Sequence, residues 1–118
     1  MAERIIRLAL LGFAALAVLG HAHASEPPAA FVGCAACHNS QADALGPTLR
    51  GVVGRKAGSI PGYRFSGPMR RSGLVWDVPT LTRYLENPQA TVPGNRMPAD
   101  GVSPSDAEQI VNFLQQLR

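Results

Sequence analysis

Cys34-Ala35-Ala36-Cys37-His38 is the feature that most constrains this chain. A Cys-x-x-Cys-His run is the pattern on which haem is attached covalently. Two thiols at that spacing can each bond one vinyl group of a porphyrin, and the imidazole that follows is then held under the iron as a proximal ligand. The alternatives are weaker. A zinc site needs a second cluster of ligands, and none stands at a suitable spacing. A thioredoxin-like pair belongs between a strand and a helix, yet the apolar residues around Cys34 are scattered among small ones. A disulfide here would close a tiny loop and stabilise little.

The 118 residues allow one domain, and the first two dozen read as an export signal. Arg4 and Arg7 form a positive start, Leu8 to Leu19 an apolar run, and Ala22-His23-Ala24 a small-residue cleavage site before Ser25. Such a run spans about 18 Å as a helix, short of the roughly 30 Å hydrocarbon core. The expectation is a cleavable secretory signal over residues 1–24 and one domain over 25–118, with an uncleaved anchor as the rival. Export places the protein in the periplasm.

From Ser25 onward nine Arg and Lys face seven Asp and Glu, a charge of about +2. No basic run is interleaved with aromatics, so nucleic acid is not an expected partner. Arg70-Arg71, the only adjacent pair of arginines, reads as part of a solvated loop. The low net charge predicts weak steering toward acidic partners and modest salt dependence. A domain this small, rich in glycine and proline, is short of core-forming side chains, which a large apolar cofactor at its centre would supply.

Pro27-Pro28 can open a short helix running into the attachment motif. From Asn39 to Trp76, Gly and Pro recur so often that long ordered loops are expected. Asp77 and Pro79 signal a helix start, with Leu81, Tyr84 and Leu85 on one face and Asn87-Pro88 as its end. A second loop is expected over Gln89 to Val102. Ser103-Pro104-Ser105-Asp106 then caps a last helix, whose stripe is Ala107, Ile110, Val111, Leu114 and Leu117. The fold class is all-α: few helices and long loops around one cofactor.

Without the signal no second histidine remains for the other face of the iron, and a methionine thioether is the natural donor. Met97, in a proline-bounded loop before the last helix, is preferred. Met69, beside Arg70-Arg71, is expected exposed or half-buried.

At this point the chain resembles the class I cytochrome c family. The resemblance runs from about Phe31 to Leu117 through Cys34–His38, Leu45-Gly46-Pro47, Gly54-Arg55-Lys56-Ala57-Gly58, Pro61-Gly62-Tyr63, Trp76, Tyr84–Pro88 and Val92–Met97. It implies Met97 as sixth ligand opposite His38, with Pro47 as carbonyl acceptor for the proximal imidazole. It implies Arg55, Trp76 and Ser66 near a haem propionate, and Tyr84 near the methionine sulfur. Asn95 stands where threonine is frequent in the family. Phe65 replaces a propionate-bonding tyrosine, Met69 a buried asparagine, and only Lys56 survives of the lysine ring used for docking.

The function so implied is that of a soluble, monomeric, one-haem electron carrier. Its partners would be redox proteins such as a dehydrogenase, a bc1-type complex or a terminal oxidase, and it would meet a membrane only through them. The alternatives are a dedicated cytochrome subunit of a dehydrogenase or oxidase complex, and a haem peroxidase. No catalytic residue is expected.

Overall fold

A computed structural model describes Gly20 and Ser25–Arg118. The expected export signal therefore lies, apart from Gly20, outside the described residues. A 3₁₀ turn, Ala29–Phe31, leads into α1 (Val32–Cys37). Four further helices follow: α2 (Gly67–Arg71), α3 (Val78–Glu86), α4 (Pro88–Thr91) and α5 (Pro104–Gln116). The described residues hold no named strand, only an isolated antiparallel bridge between Lys56 and Val75. The all-α expectation holds.

The two longest helices follow their sequence signals. Ser103 Oγ accepts from Asp106 N at 3.1 Å to start α5, with Pro104 in its first turn. Ala107, Ile110, Val111 and Leu114 then bury one stripe. Taking each of the three larger side chains out of water contributes about 1.5 to 3 kcal/mol. Asp77 Oδ1 accepts from Thr80 N at 2.9 Å to start α3, which buries Leu81 and Tyr84. Hydrogen bonding from the Thr80 side chain, and then from its backbone N–H, lowers the Asp77 carboxyl from its ordinary value. α3 packs on α5 and α4, and the 3₁₀ turn also rests on α5. At that contact Phe31 meets Phe113 edge to face, with ring centroids 4.8 Å apart.

Three expectations are corrected. The stretch from Asn39 to Trp76 is not all loop, because Ser66 Oγ accepts from Met69 N and starts α2. The stretch from Gln89 to Val102 begins in a helix too. Asn87, extended before Pro88, ends α3, and its Oδ1 then accepts from Ala90 N to start α4. Met69 is buried rather than exposed, since α2 turns it into the core cluster that also contains Trp76 and Tyr84.

The long loops are held by backbone pairing. Trp76 N donates to Arg55 O and Ala57 N to Leu74 O, both at 2.8 Å, so residues 54–57 and 74–76 run side by side. Gly51 N donates to Leu117 O at 2.8 Å, fastening the loop after the attachment motif to the end of α5. Gly101, at φ 106°, abuts the Glu86 carbonyl so closely that a Cβ would overlap it. This contact, with Val102 N on Leu85 O at 2.9 Å, brings the second loop back to the end of α3.

Candidate functional site

Cys34 and Cys37 lie one turn apart on α1, so their side chains share a face. Both are free and half-buried. Burial pushes the Cys34 thiol above its ordinary value, against a smaller lowering by a backbone hydrogen bond. That is the opposite of the depressed thiolate a redox-active pair requires. Among the described residues no three His, Cys, Asp or Glu side chains gather as a metal site would, so the zinc reading gains nothing.

His38 leaves the end of α1, and its Nδ1 lies 2.8 Å from the Pro47 carbonyl. A carbonyl only accepts, so Nδ1 carries the proton and Nε2 keeps a free lone pair for a metal. Gly46 packs against the ring: a Cβ there would come within 2.6 Å of His38 Nδ1. Gly46 N also donates to Cys37 O at 3.0 Å, holding the Gly46-Pro47 turn under the motif. A cavity of about 690 Å³ opens at this point, lined by His38, Pro47, Leu49, Ile60, Tyr63 and Phe113 among others. Its size lies within the range of cofactor sites.

A second group of site residues forms around Met97. Asn95 is buried, and every polar atom of its amide is used. Nδ2 donates to Pro88 O at 3.1 Å and to Val92 O at 3.0 Å, which fixes the orientation of the amide. Oδ1 accepts from Met97 N at 2.9 Å. The Tyr84 hydroxyl lies 3.3 Å from Asn95 Oδ1 and 3.9 Å from Met97 Sδ, within reach of both. Gln89 braces the same turn from outside, donating to Asn95 O at 3.1 Å and accepting from Gly94 N at 3.2 Å.

Burial, with a smaller push from Tyr63, raises the Tyr84 phenol to about 12. It therefore remains a donor throughout the physiological range. In the unfolded chain a tyrosine ionises near 10, so Tyr84's contribution to stability is fully present below about pH 10. It is lost as the pH rises from there toward about 12. Denaturant unfolding from pH 9 to 12 should show this fall, and Tyr84→Phe should flatten it.

The remaining predicted residues lie elsewhere. Trp76 is buried and stacks at a tilt on Tyr84, with centroids 4.8 Å apart. Arg55 places Nη1 on Arg50 O at 3.0 Å and Nη2 on Thr48 O at 2.9 Å. Two of its five donors are thus already committed to holding the 48–50 loop. Ser66 Oγ accepts the α2 cap and keeps its hydroxyl proton free to donate.

Sequence reasoning gave no role to Gly46 or Gln89. Gly46 could have been found, since a glycine beside a proline that meets an imidazole leaves room for the ring. Gln89 carries no local signal; only the fold brings it to the Asn95 turn.

The donor set and the cavity fit a haem. Comparison with known proteins agrees. The family model described as cytochrome c matches residues 26–118. Cytochrome c2 iso-2 of Magnetospirillum molischianum is 45% identical over 97 residues, covering 80% of this chain and all of that one. Cytochrome c2 of Rhodomicrobium vannielii is 41% identical over 119 residues, covering 94% of each. The solved structure of cytochrome cH from Methylobacterium extorquens is 43% identical at a TM-score of 0.69, covering 73% of this chain and 90% of that one. The chain belongs to the cytochrome c family. It is a monohaem c-type cytochrome, of a family of electron-transfer proteins, and its cofactor is one covalently bound haem c.

Proposed function

We propose that Cys34 and Cys37 carry the two thioether links and that His38 and Met97 are the axial ligands of the iron. Trp76, with the free donors of Arg55 and Ser66, is assigned to the haem propionates. The haem supplies a reversible one-electron couple. The protein's residues do the rest. Pro47 orients His38, and Asn95 with Tyr84 holds the Met97 thioether in place. With His38 and Met97 fixed in this way, little rearrangement of the protein would accompany a one-electron change of a bound haem, which suits electron transfer without substrate binding. The observation that carries the reading is the braced Met97 turn, whose backbone N–H, sulfur and flanking amide all have partners. A loop so held does not release its methionine readily, which disfavours a peroxidase.

The chain from Ser25 is proposed to act as a soluble periplasmic shuttle between a dehydrogenase or bc1-type donor and a terminal oxidase. The first 24 residues would be its cleaved signal. No helix of the described residues is long and apolar enough to cross a membrane. The match to the Rhodomicrobium protein, at 94% of this chain, also reaches back into the first 24 residues. The test is expression of the full chain in a host that matures c-type cytochromes. The expected product is a periplasmic protein beginning at Ser25 that titrates as a single one-electron couple and turns over no hydrogen peroxide. A membrane-bound product, or rapid peroxide turnover by the protein as isolated, would contradict it.

A further inference from the structure

Two amide side chains hold the Met97 turn, Asn95 from inside and Gln89 from outside. Asn95 is buried and ties the turn to the α4 backbone at Pro88 O and Val92 O. Gln89 is exposed, stands in α4, and grips the turn with both ends of its side chain. Its Nε2 donates to Asn95 O at 3.1 Å, and its Oε1 accepts from Gly94 N at 3.2 Å. A carbonyl only accepts and a backbone N–H only donates, so one orientation of the amide satisfies both. α4 is short but secured at its start. Asn87 Oδ1 accepts from Ala90 N, and Asn87 O from Thr91 N. The turn also meets α2, where a Cβ on Gly94 would come within 3.1 Å of Pro68 Cγ.

We propose that Gln89 is the latch of this turn: a positioning residue that touches neither iron nor thioether, yet sets how often Met97 leaves the iron. The inference rests on the reading of Met97 as an axial ligand. Asn95 Oδ1 accepts from Met97 N at 2.9 Å, so a Met97 that swings away with its backbone carries Asn95 with it. Gln89 is anchored on α4, outside that moving unit, and its two bonds must break at each departure. One of them pins the pivot. Gly94 has φ 83°, a conformation glycine adopts readily, and with its N–H held the backbone there cannot turn freely. An exposed glutamine serving only solubility would have no reason to hold two backbone groups further along the chain. Each such bond shifts an equilibrium by about two- to twelvefold. The rotamer freedom that glutamine gives up on latching offsets part of their sum.

The test is nitric oxide binding to the ferric holoprotein. Nitric oxide is uncharged at every pH and needs the position that Met97 fills. Its rate at saturating concentration therefore reports how often the thioether departs. Gln89→Ala should raise that limiting rate at least about threefold, with the methionine–iron absorption band retained. Hydrogen exchange at the Met97 amide, which Asn95 holds and Gln89 does not touch, should quicken in step. Gln109→Ala removes an exposed glutamine's hydrogen bond to Ser105 on α5. It should leave the rate within about twofold of the wild type.

Gln89→Glu separates positioning from packing. A protonated carboxyl donates and accepts as the amide does, whereas a carboxylate only accepts and sets a negative charge against Asn95 O. Its limiting rate should match the wild type at about pH 3.5 and approach that of Gln89→Ala by about pH 7, rising through the glutamate value of about 4.3. Glu86, at the end of α3, is common to all these proteins, so the wild-type and alanine profiles account for its titration. An unchanged rate in Gln89→Ala, an equal rise in Gln109→Ala, or a Gln89→Glu profile parallel to that of Gln89→Ala would each overturn the proposal. In Met97→Ala no thioether has to leave, so binding should be fast and indifferent to residue 89. A slow, saturating rate there would fault the ligand assignment itself, and the latch with it.

Discussion

Alanine at both Cys34 and Cys37 should yield an exported chain from which acidified acetone extracts all residual haem, and which has lost most of its helical circular dichroism. The sulfurs are the proposed covalent links, so their removal leaves only ligation and packing to hold the haem. The second effect follows from the core. Outside α3 and α5, the buried apolar side chains are few and spread over short elements and loops: Phe31, Val52, Ala57, Met69, Trp76 and Val92. Around them Leu49, Val53, Phe65 and Met97 are only half covered. Their full burial depends on a group that binds the folded state alone, and losing such a group lowers stability by its binding free energy. A domain has only about 5 to 15 kcal/mol in total. Each single cysteine variant should keep one thioether and fold partially.

Met97→Ala should open the sixth position. The ferric protein is expected to lose its weak methionine–iron absorption band, bind cyanide or imidazole rapidly, and gain peroxidase activity. Its potential should fall by on the order of 0.2 V, a fraction of the roughly 0.8 V span that axial ligands control. Met69→Ala should do something different in kind. Met69 is buried in the core, so its truncation should cost about 2 to 5 kcal/mol while the band persists. A lost band in the Met69 variant, with the band intact in the Met97 variant, would exchange the two assignments. The two methionines thus separate ligation from packing.

Much of this was legible in the sequence, for identifiable reasons. The attachment motif is contiguous, so its chemistry needs no fold to be read. α3 and α5 announce themselves through Asp77, Ser103, first-turn prolines and apolar stripes long enough to show helical spacing. α2 and α4 do not. They have five and four residues, too few for periodicity and too short to be stable alone. Their caps, Ser66 and Asn87, were hidden among glycines and prolines that signal loops equally well. The burial of Met69 follows from α2 and was missed with it. Asn95 was singled out, yet three of its four side-chain hydrogen bonds depend on Pro88, Val92 and Tyr84 being brought around it by α3 and α4.

The pairing of His38 with Met97 on one iron is the centre of the account, and proton NMR of the reduced holoprotein tests it most directly. A methionine bound to haem iron lies in the ring current of the porphyrin, so its methyl resonance moves far upfield of the normal range. One such methyl is predicted, present in the wild type and in Met69→Ala, and absent from Met97→Ala. A reduced spectrum without any upfield methionine methyl, or one whose signal disappears with Met69 instead, would contradict it.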